Sequence, residues 1–417
     1  MGYSELIKKQ RAFFNSGATR SFDFRRTQLT KLRDVLLTND QLIFDAIFKD
    51  LRRPANQTKM MEFDRIIMEI DYALEHLEEW MKPEEKQPEP FGTPFIYHDP
   101  LGVVLVISPF NFPAVLALRP IINAIAAGNT VVLKPSEVAA NTAKALGEVL
   151  KHFDEEFIAV VQGDAPATIA LLEERFDHIF YTGSPGIARS IMTQAAKYLT
   201  PVTLELGGKC PAVVLKDAPL EQAIQSITHG KATDYVLVEA AIKPQFLEQL
   251  KKAIGSKFRA QTEGEPRLHA RLQDLLTNTK GKLVYKPEDE NDLSDLYIGP
   301  HVFEVEPTDV LMGGEIFGPI LPVLTVENLQ EAIDFINRGE KPLNAYIFTV
   351  DDKKIEKFLT ETYSANAVSN GAVLNYYCKS MQLPFGGVGE SGMGAYHGKF
   401  GFDTFTHQKA VVKAAHP

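Results

Sequence analysis

Cysteine is nearly absent: the chain has two, Cys210 and Cys378, in 417 residues. Two thiols cannot build a disulfide framework, and their spacing fits no metal-binding pattern. The sequence therefore predicts a reducing, cytoplasmic setting and no metal centre. Basic residues are outnumbered, and the net charge is −10. That argues against nucleic acid as a partner, because phosphate binding needs clustered Lys and Arg. No apolar run approaches the roughly 20 residues that a membrane span requires. The polar start, Met1 to Gln10, lacks the basic-then-apolar order of a signal peptide. What is left is an ordinary globular composition, 45% hydrophobic and 24% charged, in a chain long enough for about two or three domains.

The order of elements follows from periodicity. Phe63, Ile66, Ile67, Ile70, Leu74, Leu77 and Met81 recur at helical spacing and predict one apolar helix face. Prolines and charges in Lys82 to Pro90 break that helix and predict a solvated connector. From Leu101 onward short apolar strands alternate with helices: Val103 to Ile107, Val131 to Leu133, His178 to Tyr181 and Val202 to Leu206 are the strands. Such alternation predicts a parallel sheet covered on both faces, a doubly wound α/β domain with ligands at the carboxyl ends of its strands. A second α/β series runs from Ala212 to about Val373, and no internal repeat is visible.

Several short motifs sit where such a sheet does chemistry. Lys134-Pro135-Ser136-Glu137 follows a strand end, where an ammonium can hold ribose or phosphate oxygens and a carboxylate can accept from ribose hydroxyls; a solvated turn is the plain alternative. Gly183-Ser184-Pro185-Gly186-Ile187-Ala188 is a glycine turn opening a helix, which offers N–H groups to a pyrophosphate. Asn111 lies between Phe110 and Phe112, and as a residue type it also suits the cap of a helix beginning at Pro113. Glu205 ends a strand in Thr203-Leu204-Glu205-Leu206-Gly207-Gly208-Lys209; its glycines permit close backbone approach. A second carboxylate, Glu315, precedes the turn Phe317-Gly318-Pro319. Glu288 to Asp292 is an acidic surface loop without further metal ligands.

Together with Pro109-Phe110-Asn111-Phe112-Pro113, these motifs resemble the aldehyde dehydrogenase family. The resemblance is closest to its shorter, class 3 branch, which handles fatty and aromatic aldehydes. The stretch Leu383-Pro384-Phe385-Gly386-Gly387-Val388-Gly389 through Gly398-Lys399, with Phe402 to His407, is nearly diagnostic of that branch. The resemblance implies an α/β fold of three parts. Residues 1–82 and 100–208 are the dinucleotide-binding domain, 209–394 the catalytic domain, and 83–99 with 395–417 a β oligomerisation arm that pairs subunits into a homodimer. It also implies roles. Glu205 is the general base that activates water, and Asn111 donates to the oxyanion. Lys134, Glu137, Gly183, Ser184, Leu206, Glu315 and Phe317 bind the cofactor. A carboxylate at Glu137 would repel a ribose phosphate, so NAD is expected, with NADP the second candidate. The substrate is a small-molecule aldehyde.

One part of the family pattern is missing. The reaction needs a thiolate on a loop after the helix that follows Gly208-Lys209. Here that helix, Leu220 to His229, is followed by Gly230-Lys231-Ala232-Thr233 and then the strand opening at Asp234-Tyr235. The connector is as short as an ordinary αβ turn and holds no cysteine. Thr233 is a poor substitute. Cys210 heads into a buried strand, where an inert thiol is usual. Cys378, beside Lys379, is a weak candidate for the nucleophile. A second shortening lies around Lys257 to His269. The sequence thus predicts NAD(P)-dependent aldehyde oxidation, impaired by the lost thiol loop. The alternative is a catalytically inactive relative that binds dinucleotide or pairs with another subunit.

Overall fold

A computed structural model describes residues 2–229, 233–255, 266–288, 291, 296–372 and 380–414. The chain forms two compact units: residues 1–205, 380–385 and 394–417 make the first, and 206–379 with 386–393 the second.

The first unit holds strands β1 (Glu84–Glu85), β2 (Gly92–Pro100), β3 (Val103–Ile107), β4 (Thr130–Lys134), β5 (Ile158–Val160), β6 (His178–Thr182) and β7 (Val202–Glu205). β7, β6, β3, β4 and β5 stand side by side in that order, all parallel. β3 and β4 are buried along their whole length, as a sheet covered on both faces demands. Helix Asp64–Trp80 buries Ile66, Ile70, Ala73 and Leu77 in this core, and Ile67, Leu74 and Met81 flank it, so the predicted apolar face is the buried one. Burying each Ile or Leu side chain contributes about 1.5–3 kcal/mol.

Helix Val115–Ala127 ends at Gly128, whose φ of +90° is the left-handed state that glycine takes without a steric penalty. Arg25 lies against that glycine and donates to Ala126 O at 3.0 Å, closing the helix end. The connector around Lys82 to Pro90 is exposed, with β1 pairing antiparallel to β2 inside it. β2 also pairs antiparallel with the C-terminal strand Thr406–Ala414, from Thr406 opposite Pro100 to Ala414 opposite Gly92.

The second unit is built on a seven-stranded sheet of β8 (Pro211–Val214), β9 (Tyr235–Glu239), β10 (Lys282–Tyr285), β11 (His301–Glu304), β12 (Ile320–Val326), β13 (Asn344–Phe348) and β14 (Asn366–Ser369), in the order β10-β11-β12-β9-β8-β13-β14. Only the edge strand β10 is antiparallel to its neighbour. β8, β9 and β13 are fully buried, and helix Leu329–Arg338 packs Ala332, Ile333 and Ile336 into the same core. Among the described residues no helix is long and apolar enough to cross a membrane, and no group of acidic, His and Cys side chains is arranged for a metal ion.

Candidate active site

In the first unit, parallel pairing brings the predicted residues to one edge of the sheet. Ile107 stands opposite both Lys134 and Tyr181, and Thr182 stands opposite Glu205. The carboxyl ends of β3, β4, β6 and β7 therefore share a row, the position at which a doubly wound sheet presents its ligand groups.

Lys134 is 1% exposed. Its ammonium donates to Pro135 O at 2.8 Å and to Glu137 Oε2 at 3.2 Å. Glu137 itself is half-exposed, so the pair is anchored inside and presents its carboxylate outward. Gly183 donates its N–H to Glu205 O at 3.0 Å, which ties the glycine turn to the end of β7. The Tyr181 hydroxyl lies where a Cβ on Gly183 would sit, 2.2 Å away, so this position needs glycine. Ser184 precedes helix Pro185–Ala195 with extended backbone and makes no side-chain cap, leaving the first N–H groups of the helix without one. Ala188, the last residue of that motif, is buried at 2% exposure.

Asn111 does not cap the helix that follows it. Glu62 takes that role: its Oε2 accepts from Ala114 N at 2.8 Å and Val115 N at 3.0 Å. Glu62 also pairs with Arg53, both fully buried. Arg53 donates to Asn111 O at 2.7 Å and lies over the Phe112 ring, 4.7 Å from its centre. Glu62 sits in a π-helical turn, Lys59–Phe63, a local irregularity often found near functional sites. The side-chain oxygen of Asn111 is buried and has no partner among the described residues.

Glu205 is the most unusual group of the unit. It is 3% exposed, and neither carboxylate oxygen has a hydrogen-bond partner among the described residues. Burial pushes its pKa well above the ordinary carboxylate value. An isolated buried charge is costly, so such a group rests protonated or finds a partner outside the protein. A general base must be ionised to take a proton, and the raised pKa makes the ionised form of Glu205 a stronger base than an ordinary carboxylate.

The second unit carries Leu206, Glu315 and Phe317. Leu206 is buried, and its N–H donates to Ser391 O at 3.0 Å. The Glu315 carboxylate lies against Gly207, where a Cβ would fall 2.2 Å from Oε2, and it accepts from the N–H of Gly208. Burial and the nearby charge of Asp234 push the Glu315 pKa up to about 7. Phe317 has a φ of +49°, in the left-handed region, and the residue is 39% exposed. It is therefore an aromatic presented at the surface, not a core residue.

Cys210 is 4% exposed, and its sulfur accepts from Asn344 N at 3.4 Å. Burial pushes the thiol up to about 12, so it is inert at neutral pH. Cys378, residues 230–232 of the short connector and residues 256–265 lie outside the described residues. So does most of the acidic loop 288–292.

The sequence profile of the aldehyde dehydrogenase family matches residues 3–411. The chain belongs to that family. The dimeric NADP-preferring aldehyde dehydrogenase of Canis lupus familiaris is 40% identical over 430 residues, covering 98% of this chain and 94% of that protein. Aldehyde dehydrogenase family 3 member A2 of Mus musculus is 40% identical, over 97% of this chain and 87% of its own length. Among solved structures, the substrate-bound AldH of Staphylococcus aureus superposes with a TM-score of 0.94 at 33% identity, covering 99% of this chain and 94% of that one. The family and its class 3 branch, inferred from short motifs, thus hold along almost the whole chain, as does the α/β fold.

Sequence reasoning missed the side chains that hold these groups in place. Arg53 and Glu62 carry no motif, and neither do Asp234 and Arg271. The one available signal was charge at positions that periodicity marks as buried, as with Glu62 and Glu69 at 0% and 1% exposure.

Proposed function

We propose that this chain binds a nicotinamide dinucleotide and that its oxidation of an aldehyde to a carboxylic acid is impaired for want of a nucleophile. The residues present fit the cofactor. Both oxygens of Glu205 and the amide oxygen of Asn111 are buried polar atoms without a partner among the described residues. Only glycine at 207 leaves room for the Glu315 carboxylate. Lys134, Glu137, Gly183, Ser184, Leu206, Glu315 and Phe317 would hold the dinucleotide, which when bound supplies the hydride acceptor. Glu205 takes a proton from water, and the Asn111 amide stabilises the oxyanion.

The observation that carries impairment is the connector Gly230-Lys231-Ala232-Thr233-Asp234, which contains no thiol. The match with the dog enzyme runs over 430 positions while drawing on 98% of a 417-residue chain, in keeping with segments that have no counterpart here. The half-exposed Glu137 carboxylate favours NAD over a cofactor with an added ribose phosphate. The NADP preference in that relative's name keeps NADP as the second candidate. We further propose a cytoplasmic homodimer acting on a small-molecule aldehyde, in which 83–99 and 395–417 form the pairing arm. In this reading 1–82 with 100–208 and 209–394 are the dinucleotide-binding and catalytic domains. The word "dimeric" in the relative's name and the β2 pairing with Thr406–Ala414 support the arm.

The missing thiol also supports the second reading, an inactive dinucleotide-binding or partner subunit. One experiment separates them: NAD reduction with a medium-chain aldehyde, beside a fluorescence titration of the cofactor. Binding with turnover several orders of magnitude below an intact relative supports impairment. Binding with no turnover favours the inactive subunit. Robust turnover that disappears in Cys378→Ala would assign the nucleophile to Cys378. No binding would sink both readings.

A further inference from the structure

The turn bearing Glu315 and Phe317 is held by charged side chains from three separate places in the second unit. Phe317 has a φ of +49°, a state unfavourable for a side-chain-bearing residue that persists only where the surroundings impose it. Asp234 supplies much of that restraint. Its Oδ1 accepts from Ile316 N at 2.8 Å, and the carboxylate also accepts from the Phe317 N–H. The Asp234 carboxylate is itself 8% exposed and pairs with the Lys209 ammonium. Lys209 reaches onward to Leu311 O at 2.8 Å and Gly314 O at 3.1 Å. From the helix Pro266–Asn278, Arg271 donates to Glu315 O at 3.3 Å and to Ile316 O. Leu272 of that helix lies where a Cβ on Gly318 would fall, 2.5 Å away.

We propose that Asp234, gripped by Lys209, is a positioning residue for cofactor binding: by accepting from the Ile316 and Phe317 N–H groups it holds Phe317 in the left-handed state that presents Glu315 and Phe317 to the nicotinamide side of a dinucleotide. This rests on the dinucleotide reading above. Asp234 is also the last residue of the shortened connector. The connector that holds no thiol thus ends in the carboxylate that anchors the turn bearing Glu315 and Phe317. Preorganisation of this kind improves affinity by removing an ordering cost before the ligand arrives.

The test compares two ligands by titration calorimetry. NAD spans both groups of cofactor residues, whereas adenosine monophosphate carries only the part assigned to Lys134 and Glu137. Asp234→Asn is expected to weaken NAD binding about tenfold, the size of one lost charge-assisted hydrogen bond, and to change adenosine monophosphate binding less than about twofold. In a Phe317→Gly background, where glycine adopts the left-handed state unaided, the same substitution is expected to weaken NAD by about twofold or less. A purely structural role would give an equal loss in both backgrounds, and that result would overturn the proposal. Equal loss of both ligands would overturn it too. If Asp234→Asn does not fold, Lys209→Met carries the same comparison and the same outcomes. If the unaltered chain binds neither ligand, the dinucleotide reading fails and takes this proposal with it. Binding of both ligands with no effect of the substitutions defeats the proposal alone.

Discussion

Arg53 donates to the backbone oxygen of Asn111 at 2.7 Å while its other nitrogen pairs with Glu62, and both charges are fully buried. The Glu62 carboxylate spends its second oxygen on the N–H groups that open helix Val115–Ala127. One ion pair therefore fixes the turn that carries Asn111 and caps the helix behind it. Breaking a buried pair leaves the other charge uncompensated, at a cost of about 3–5 kcal/mol. Arg53→Met is expected to lower stability by that amount in urea unfolding followed by circular dichroism. A change below about 1 kcal/mol would show that the pair is dispensable.

Glu205→Gln is expected to stabilise the protein above neutral pH. The folded-state pKa of Glu205 lies above the unfolded value of about 4.3. The folded state therefore binds the proton more tightly, and stability falls as pH rises from that unfolded value towards the folded one. Glutamine removes the burden of a buried charge. Melting temperatures across that range should fall with pH in the unaltered chain and fall less in the variant. Any dehydrogenase turnover should be lost in Glu205→Gln, an exchange of function for stability.

Dinucleotide affinity is expected to depend on Glu315. Its pKa of about 7 means that the carboxylate is largely protonated in mild acid. An ionised carboxylate accepts from ribose hydroxyls more strongly than a neutral one. Affinity should therefore rise as pH is raised through neutrality, from about pH 6 to about pH 8. The rise should vanish in Glu315→Gln. A rise that survives that substitution would assign the dependence to another group.

Gly207→Ala tests the packing beneath that carboxylate. The new methyl group would stand 2.2 Å from Glu315 Oε2, the end of a flexible side chain that can swing away. The expected result is weaker dinucleotide binding with a melting temperature within a few degrees of the unaltered protein. Unchanged affinity would mean that the position of Glu315 is immaterial.

Cys210 should not react with a thiol reagent while the protein is folded, since it is buried and its thiol is pushed up to about 12. Native titration should give the same count before and after Cys210→Ala, with the difference of one thiol appearing only on denaturation. Rapid native labelling of Cys210 would contradict its burial.

Local pattern carried the broad features of the fold. Helix Leu220–His229 lies at the residues the sequence suggested, because an amphipathic run states its own length. The carboxyl-end row of Lys134 and Glu205 was legible too, since parallel strands necessarily end on one edge. The alternative role for Asn111, a helix cap, was equally good chemistry, and only folding decided against it. Glu62 reached the same N–H groups from a segment more than fifty residues earlier, and sequence gives no measure of such proximity.

The chain by itself determined the family, the alternation that builds two largely parallel sheets, and the absence of a thiol from the connector before Tyr235, because each is a matter of residue order. Tertiary structure alone decided which carboxyl groups are buried without a partner among the described residues, as at Glu205, and which are spent holding a turn, as at Asp234. Asp234 meets Ile316 across 82 residues of chain. A bond between a side chain and a backbone that far apart leaves no periodicity to read, and it exists only once packing has excluded water and brought the two together.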